Sequence, residues 1–318
     1  MERRPRTQVI TTCRADEGLL NPVIAEMLRR DVKASVGMKN NPDLCVLLGD
    51  RYETLEWART AVHDNIPIAH IHGGDVSGCE HMDDKFRDAI TMLSDLHFAA
   101  TERSCQRLRA MGTSPNRTWS VGSPALDDII GRQHAGDHDY VVVLQHPVSG
   151  QSDRAVEQLK ATLSAVSAAK RSSILIYPND DPGGAEMVKY IEAHPNWNPG
   201  QRTRVYWNLP RDQFIDQLCH CRCLVGNSSA AYVECSYLGV PCVDVWDRQN
   251  GRENAGNVVR STCSQVAINA SIWMAEALGR QLKPSNLYGD GHASERIVEH
   301  ILEWWDDKIG GQPGRHHA

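Results

Sequence analysis

Residues 223–257 read CLVGNSSAAYVECSYLGVPCVDVWDRQNGRENAGN. Cys223 to Val225 has the make-up of a short buried strand, and Gly226-Asn227-Ser228-Ser229 that of a tight polar turn. A helix is expected from Ala230 to Leu238, stopped by Gly239 and Pro241, with a second strand from Pro241 to Val245. Strand, helix and strand in this succession place the stretch in the α/β class. A strand that delivers Asn-Ser-Ser to a helix N-terminus gathers free backbone N–H groups and two hydroxyls under the positive end of the helix dipole, which suits an anion. Glu234, further along that helix, has the reach for a ribose diol, and Arg248, Arg252 and Glu253 follow on a glycine-bearing segment. These residues suit a grip on the phosphates and sugar of a nucleoside diphosphate. They suit a plain helix N-cap equally well, since Ser and Asn are favoured caps.

The remaining composition narrows the partners. At 318 residues the chain is long enough for two domains with cores of their own. A net charge of -6 with both signs interspersed leaves no footprint for nucleic acid or an anionic membrane. No apolar run reaches membrane-spanning length, and Met1-Glu2-Arg3-Arg4-Pro5 is not followed by a signal-type core, so a cytoplasmic protein is expected. Ten scattered cysteines, Cys45 and Cys242 among them in apolar strands, suggest reduced thiols rather than a disulfide framework. Cys219-His220-Cys221-Arg222-Cys223 alternates, unlike the paired spacing of zinc sites, and is taken as structural; no metal is expected.

Outward from the opening stretch, polar groups recur where strands end. Gln8 to Thr12 reads as a strand leading to Arg14 and a helix with Leu20, Val23, Ile24, Met27 and Leu28 at helical spacing. Leu44 to Leu48 is a strand ending in Gly49-Asp50-Arg51, and Ile66 to Ile71 one ending in His72-Gly73-Gly74-Asp75. A loop through Ser77 to His81 leads to Asp83-Asp84 and a helix from Lys85 to Leu93. Tyr140 to Leu144 ends in Gln145-His146-Pro147, and Ser173 to Tyr177 in Pro178-Asn179-Asp180-Asp181. Open α/β sheets bind ligands in the crevice outside the carboxyl ends of their strands, so these clusters are the candidate sites. Gly131 to His138, polar and poor in apolar residues, is the candidate linker.

With these stretches in place, the chain resembles the hydrolysing UDP-N-acetylglucosamine 2-epimerases of the sialic-acid type. The resemblance covers nearly all of it except about residues 31–41. It is densest in YPND (177–180), DQFI (212–215), GNSS (226–229) and RQNGREN (248–254), with GDRYE (49–53), HIHGGDVSG (70–78) and LQHPV (144–148) in support. It implies an α/β fold of two Rossmann-like domains in the glycosyltransferase-B architecture, the first one shortened. The domains expected are 1–132, carrying sugar-side catalytic residues, and 138–290, binding UDP. A helix at 291–309 would pack back on the first domain, ahead of a disordered tail at 310–318.

The resemblance also implies roles. Ser228 and Ser229 match the diphosphate-binding serines, Glu234 the ribose-binding acid and Phe214 the aromatic stacked on uracil. Arg14, Arg51, Asn179 and Arg248 match positions near the nucleotide or sugar. Asp50, Asp83 and His146 match positions assigned to chemistry. His72 stands where the animal enzymes carry a candidate catalytic glutamate, so His72 or the nearby Asp75 is expected to act there. Family members have some fifty to sixty more residues between Arg30 and Asn41, and their Arg-His pair after the acidic loop is here Arg87-Asp88.

The reaction implied eliminates UDP with loss of the C2 proton, giving a glycal to which water adds. It needs a base, a group to ease departure of the diphosphate, and carboxylates to stabilise oxocarbenium character. It needs no cofactor. The partner expected is a UDP-sugar, with the chain a homo-oligomer, a dimer. Two alternatives stand beside this one, since a fold hosts many functions: a glycosyltransferase with a UDP-sugar donor, and an inactive sugar-nucleotide-binding homologue.

Overall fold

The computed structural model describes residues 3–12, 14–37, 41–78 and 82–310, without the side chains of Arg14, Ala15 and Glu17. The expected tail, from residue 311 on, lies outside the described residues, as do Cys13 and the Cys79-Glu80-His81 part of the polar loop. The chain forms two compact units. The first holds the residues up to Asp75, Asp83–Ile130 and those from Gly289 on; the second holds Val76–Met82 and Gly131–Tyr288.

In chain order the first unit comprises β1 (Arg6–Val9), α1 (Arg14–Arg29), β2 (Lys33–Val36), β3 (Leu44–Leu48), α2 (Tyr52–His63) and β4 (Ile68–Ile71). α3 (Met82–Leu93), β5 (Leu96–Ala99), α4 (Glu102–Ala110) and β6 (Thr118–Ser120) follow. The second has β7 (Tyr140–Leu144), α5 (Ala155–Ala168), β8 (Ser172–Ile176), α6 (Gly184–Ala193), β9 (Thr203–Tyr206) and α7 (Arg211–His220). It continues with β10 (Leu224–Gly226), α8 (Glu234–Leu238), β11 (Cys242–Val245), β12 (Val258–Ser261) and α9 (Gln265–Gly279), after which α10 (Ala293–Gly310) returns to the first unit.

Both sheets are six-stranded and wholly parallel in the described residues. Parallel strands are covered on both faces, which is why Leu44-Cys45-Val46-Leu47-Leu48 is apolar throughout and buried at all five positions. One face of the first sheet packs Val9, Val46, Ile71 and Phe98 on Leu20, Val23 and Met27 of α1 and on Ile297, Val298, Ile301 and Leu302 of α10. Ala58, Ala61 and Ile90 cover Cys45, Leu47 and Ile68 on the other. In the second unit Val141, Val143, Leu175, Val225 and Val243 share one core with Leu159, Leu163, Met187, Ile191, Ile268 and Ile272. Each such large side chain removed from water contributes about 1.5–3 kcal/mol, so these layers hold the strand ends in place.

Strand order decides where ligands can go. The first sheet runs β2-β1-β3-β4-β5-β6, the flavodoxin-like order, with its switch point between β1 and β3. The second runs β12-β11-β10-β7-β8-β9, the doubly wound Rossmann order, with its switch point between β7 and β10.

Several local expectations are corrected. The first strand is Arg6–Val9 rather than Gln8 to Thr12, and β2 is a strand that the sequence did not announce. Lys33-Ala34-Ser35-Val36 is only half apolar because it is an edge strand, partly or fully exposed along its length. The helix expected from Ala230 to Leu238 is broken into a 3-10 turn at Ser229–Ala231 and the five-residue α8. The break drives Tyr232 into the core, where its hydroxyl donates to the Asp244 carboxylate at 2.6 Å. The candidate linker starts where the two units divide, after Ile130, and is tied to the second unit, since the N–H groups of Ala135 and Gly136 donate to the Cys219 carbonyl and that of His138 to the His220 carbonyl. No helix among the described residues is long and apolar enough to cross a membrane.

Candidate active site

In the second unit the polar groups collect at the switch point. His146 follows β7, Asn179 follows β8, Asn227 follows β10, and Arg248 and Gln249 follow β11. Asn227 ties them together. Its side-chain oxygen accepts the His146 N–H at 2.7 Å, its amide donates to the His146 carbonyl at 2.9 Å, and its own carbonyl accepts from Gln249 at 3.1 Å and Arg248 at 3.3 Å. Gly226, at φ +146, makes this close approach feasible: a Cβ there would sit 1.9 Å from the Leu144 carbonyl oxygen.

His146 is held with equal care. The Asn179 backbone N–H donates to its Nδ1 at 3.1 Å, so the neutral ring carries its proton on Nε2. Burial, aided by the Arg248 charge, pushes the imidazole down to about 3, and it stays neutral at ordinary pH. Its Nε2 is therefore a hydrogen-bond donor in the resting state. Asn179 turns its amide to the Asp181 carboxylate, which lies 3.9 Å from the Arg248 guanidinium.

The remaining candidates of this unit are placed less uniformly. Ser228 is buried, and its hydroxyl accepts the Ala230 N–H at 3.3 Å, so the capping reading of the turn is realised. Ser228 caps a single 3-10 turn, Ser229–Ala231, and α8 starts only at Glu234, so the dipole over Ser228 and Ser229 is that of one short turn rather than of a long helix. What remains for an anion is hydroxyls, turn N–H groups and Arg248. Glu234 is 6% exposed and accepts from Arg211 at 2.7 Å, a partner that the sequence did not single out. Phe214, on the first turn of α7, is partly buried.

In the first unit the charged groups centre on Arg87, 1% exposed, whose guanidinium binds the carboxylates of Asp50 and Asp84 and donates to the Asp75 carbonyl at 2.8 Å. Burial opposes its charge, but Asp50, Asp75 and Asp84 outweigh burial and raise Arg87 above its ordinary value. Asp75 is itself buried and accepts from the Ser104 hydroxyl at 2.8 Å. Gly74, at φ +78, cannot be replaced cheaply, since a Cβ would lie 2.3 Å from the Ser104 carbonyl oxygen. Beneath these groups His70 donates from Nε2 to the Gly49 carbonyl at 2.8 Å, and Thr91 lies 3.1 Å from its Nδ1. Burial pushes His70 down to about 4.

His72 adopts φ +64, a conformation uncommon outside glycine, directly after β4. Asp83 is partly buried in the first turn of α3. Arg51 pairs with Glu53 at 3.3 Å on the surface, and Arg14 opens α1. Asp50 and Asp75 are thus joined through Arg87, a residue without any local sequence signal for burial. The described residues contain one group of three metal-donor side chains, Asp137, His138 and His220, apart from all of these candidates.

Comparison with known proteins agrees with this architecture. The profile of the UDP-N-acetylglucosamine 2-epimerase family matches residues 13–302. The chain belongs to that family. The Legionella pneumophila protein named UDP-N,N'-diacetylbacillosamine 2-epimerase (hydrolyzing) is 36% identical over 274 residues, covering 81% of this chain and 70% of that one. Among solved structures, the S. aureus MnaA–UDP co-structure superposes with a TM-score of 0.79 at 16% identity, covering 98% of this chain and 100% of the other. The Neisseria meningitidis UDP-GlcNAc 2-epimerase bound to UDP-GlcNAc gives 0.75 at 18%, covering 93% and 99%. The fold of this family member is the glycosyltransferase-B architecture, with two α/β units of six parallel strands each. Asn227 and Gln249 fall inside the GNSS and RQNGREN stretches that carried the resemblance, so a signal for both was present in the sequence. Arg211 had none, and Arg87 was marked only by its match to the family's Arg-His pair, because a helix arginine looks the same in sequence whether it faces water or a buried carboxylate.

Proposed function

We propose that this family member is a hydrolysing 2-epimerase that converts UDP-N-acetylglucosamine, or a close relative such as UDP-N,N'-diacetylbacillosamine, into the free 2-epimeric sugar and UDP. The observation that carries the reading is His146, a neutral imidazole with Nδ1 occupied by a backbone N–H, at the switch point of the second sheet beside Ser228 and Arg248. The L. pneumophila relative's name supports the hydrolysing reaction and the second of these sugars, and that of a Neisseria meningitidis relative, UDP-N-acetylglucosamine 2-epimerase, supports the first.

In this reading Phe214 stacks on uracil, Glu234 holds the ribose with Arg211 fixing its carboxylate, and Ser228, Ser229 and Arg248 hold the diphosphate. Asn179 steadies His146. In the first step a base removes the proton on C2, the electron pair forms the C1–C2 double bond, and the C1–O bond breaks to release UDP. His146, protonated on Nε2, donates to the departing diphosphate oxygen. In the second step water adds its oxygen to C1, and C2 takes a proton on the face opposite the one lost. Asp50, His72, Asp75 and Asp83 supply the base and the negative charge that favours a cationic C1, with Arg87 setting the orientation of Asp50. Arg14 and Arg51 complete the contacts proposed to the nucleotide or sugar.

The test is incubation with each sugar nucleotide in heavy water. Epimerisation yields UDP and a 2-epimeric free sugar deuterated at C2, seen as loss of the H2 signal in the proton spectrum. Release of UDP with an undeuterated, unepimerised sugar overturns the proposal and favours a transferase acting on water.

A further inference from the structure

We propose that the second unit carries a divalent transition-metal site formed by Asp137, His138 and His220. One ligand atom of each lies within 4.8 Å of those of the other two. The His220 Nδ1 is 2.7 Å from an Asp137 carboxylate oxygen, and the rings of His138 and His220 stack with centroids 4.9 Å apart and an interplanar angle of 24°. Two imidazoles and a carboxylate form a donor set that suits zinc, nickel, cobalt or copper, and they leave a position for water.

The donors come from two segments that are already fastened together. The 134–138 strap runs along the C-terminal end of α7. Its N–H groups at Ala135 and His138 donate to the carbonyls of Cys219 and His220 at 2.7 and 3.2 Å, and the His134 Nε2 lies 2.7 Å from the Cys221 carbonyl. The ligand-bearing backbone therefore needs no ordering when the ion arrives. Ligands about 2.1 Å from a tetrahedral ion lie roughly 3.4 Å from one another. Binding thus opens the Asp137–His220 contact slightly and turns the His138 ring out of its stack on His220, so that its in-plane lone pair meets the ion; both are movements of exposed or half-exposed side chains. The ion takes the place of the proton shared by Asp137 and His220. Asp216, whose carboxylate is 3.7 Å from the His220 Nε2, adds negative charge on the other side of the ring. With the ion bound, the strap is stapled to α7, the helix whose first turn carries Arg211 and Phe214.

The probe is zinc chloride, titrated calorimetrically into the full chain at neutral pH, with His316 and His317 of the tail replaced by alanine in every sample. The expected result is saturable binding of one ion per chain, lost in Asp137→Asn/His138→Ala. His138→Ala alone should weaken binding by at least the roughly 10–100-fold known for removal of an outer-shell partner. Cobalt bound in the same place should give the intense visible bands of a four-coordinate ion. His138 is exposed and its replacement leaves the fold intact, so an unchanged metal-free melting temperature separates loss of ligation from loss of structure. Equal affinity in His138→Ala, or binding no tighter than about 1 mM, overturns the site and leaves Asp137 and His220 as an ordinary surface ion pair.

Discussion

Replacing Arg87 by methionine should unfold the first unit well before the second. Arg87 is 1% exposed, and its two carboxylate partners, Asp50 and Asp84, are 28% and 15% exposed. Each pair at about 4 Å and an effective dielectric constant near 20 interacts by roughly 4 kcal/mol, of which desolvation of the partners removes a large part. Methionine fills the volume but takes the guanidinium away from two part-buried carboxylates and leaves the Asp75 carbonyl without that donor. Breaking a buried pair from one side costs about 3–5 kcal/mol. Urea unfolding at pH 7, followed by fluorescence and circular dichroism, should show the transition of the first unit moved to lower urea with its slope unchanged, and that of the second unit in place. Adding Asp84→Asn should recover part of the loss, because one stranded charge is gone. A loss under about 1 kcal/mol, or a double variant whose losses simply add, would refute this account of Arg87.

Three other outcomes are expected. His146→Ala should cut turnover by orders of magnitude while the calorimetric affinity for UDP changes little, and Ser228→Ala/Ser229→Ala should weaken UDP binding by about one to a few kcal/mol; the reverse pattern would exchange the proposed roles. Stability should fall on acidification below pH 6.5. His70 and His97, at about 4, and His146, at about 3, have folded values below the ordinary 6.5, so the unfolded chain takes up protons that the folded chain does not. Each contributes about 2–3 kcal/mol of loss by pH 4.5. Asp244, pushed up to about 6 by burial, opposes them, because the folded chain protonates it first. A urea midpoint unchanged between pH 7 and 4.5, or equally steep in His70→Gln, would contradict this balance.

What was legible in the sequence followed from local chemistry. Leu44 to Leu48 could only be a covered strand, and the polar groups after Leu48, Ile71, Leu144 and Ile176 marked carboxyl ends of strands in both sheets before any topology was known. What was missed depended on distant partners. Tyr232 breaks its helix because Asp244 waits for its hydroxyl, and the tautomer of His146 is set by a backbone N–H some thirty residues on. Lys33 to Val36 joins the sheet by backbone pairing, with only the small Ala34 side chain packed against the core, so its sequence carries little trace of the pairing. The mismatch between expected and observed boundaries therefore lies where a neighbour far along the chain outweighs local preference.

The return of α10 has a consequence for the protein's synthesis. Ile297, Val298, Ile301 and Leu302 complete the core around Val9, Leu20 and Val46, the Trp305 indole donates to the Arg3 carbonyl at 2.6 Å, and Asp127 accepts the N–H groups of Ala293 and Ser294. The N-terminal sheet therefore emerges from the ribosome with part of one face covered by α1 and the rest bare, and stays so while the 158 residues from Gly131 to Tyr288 are made. The contiguous segment from Gly131 to Tyr288 can close its own core in that interval. Birth order and folding order are inverted: the unit made first is the last to be finished, and until α10 arrives its apolar flank is what a chaperone would meet.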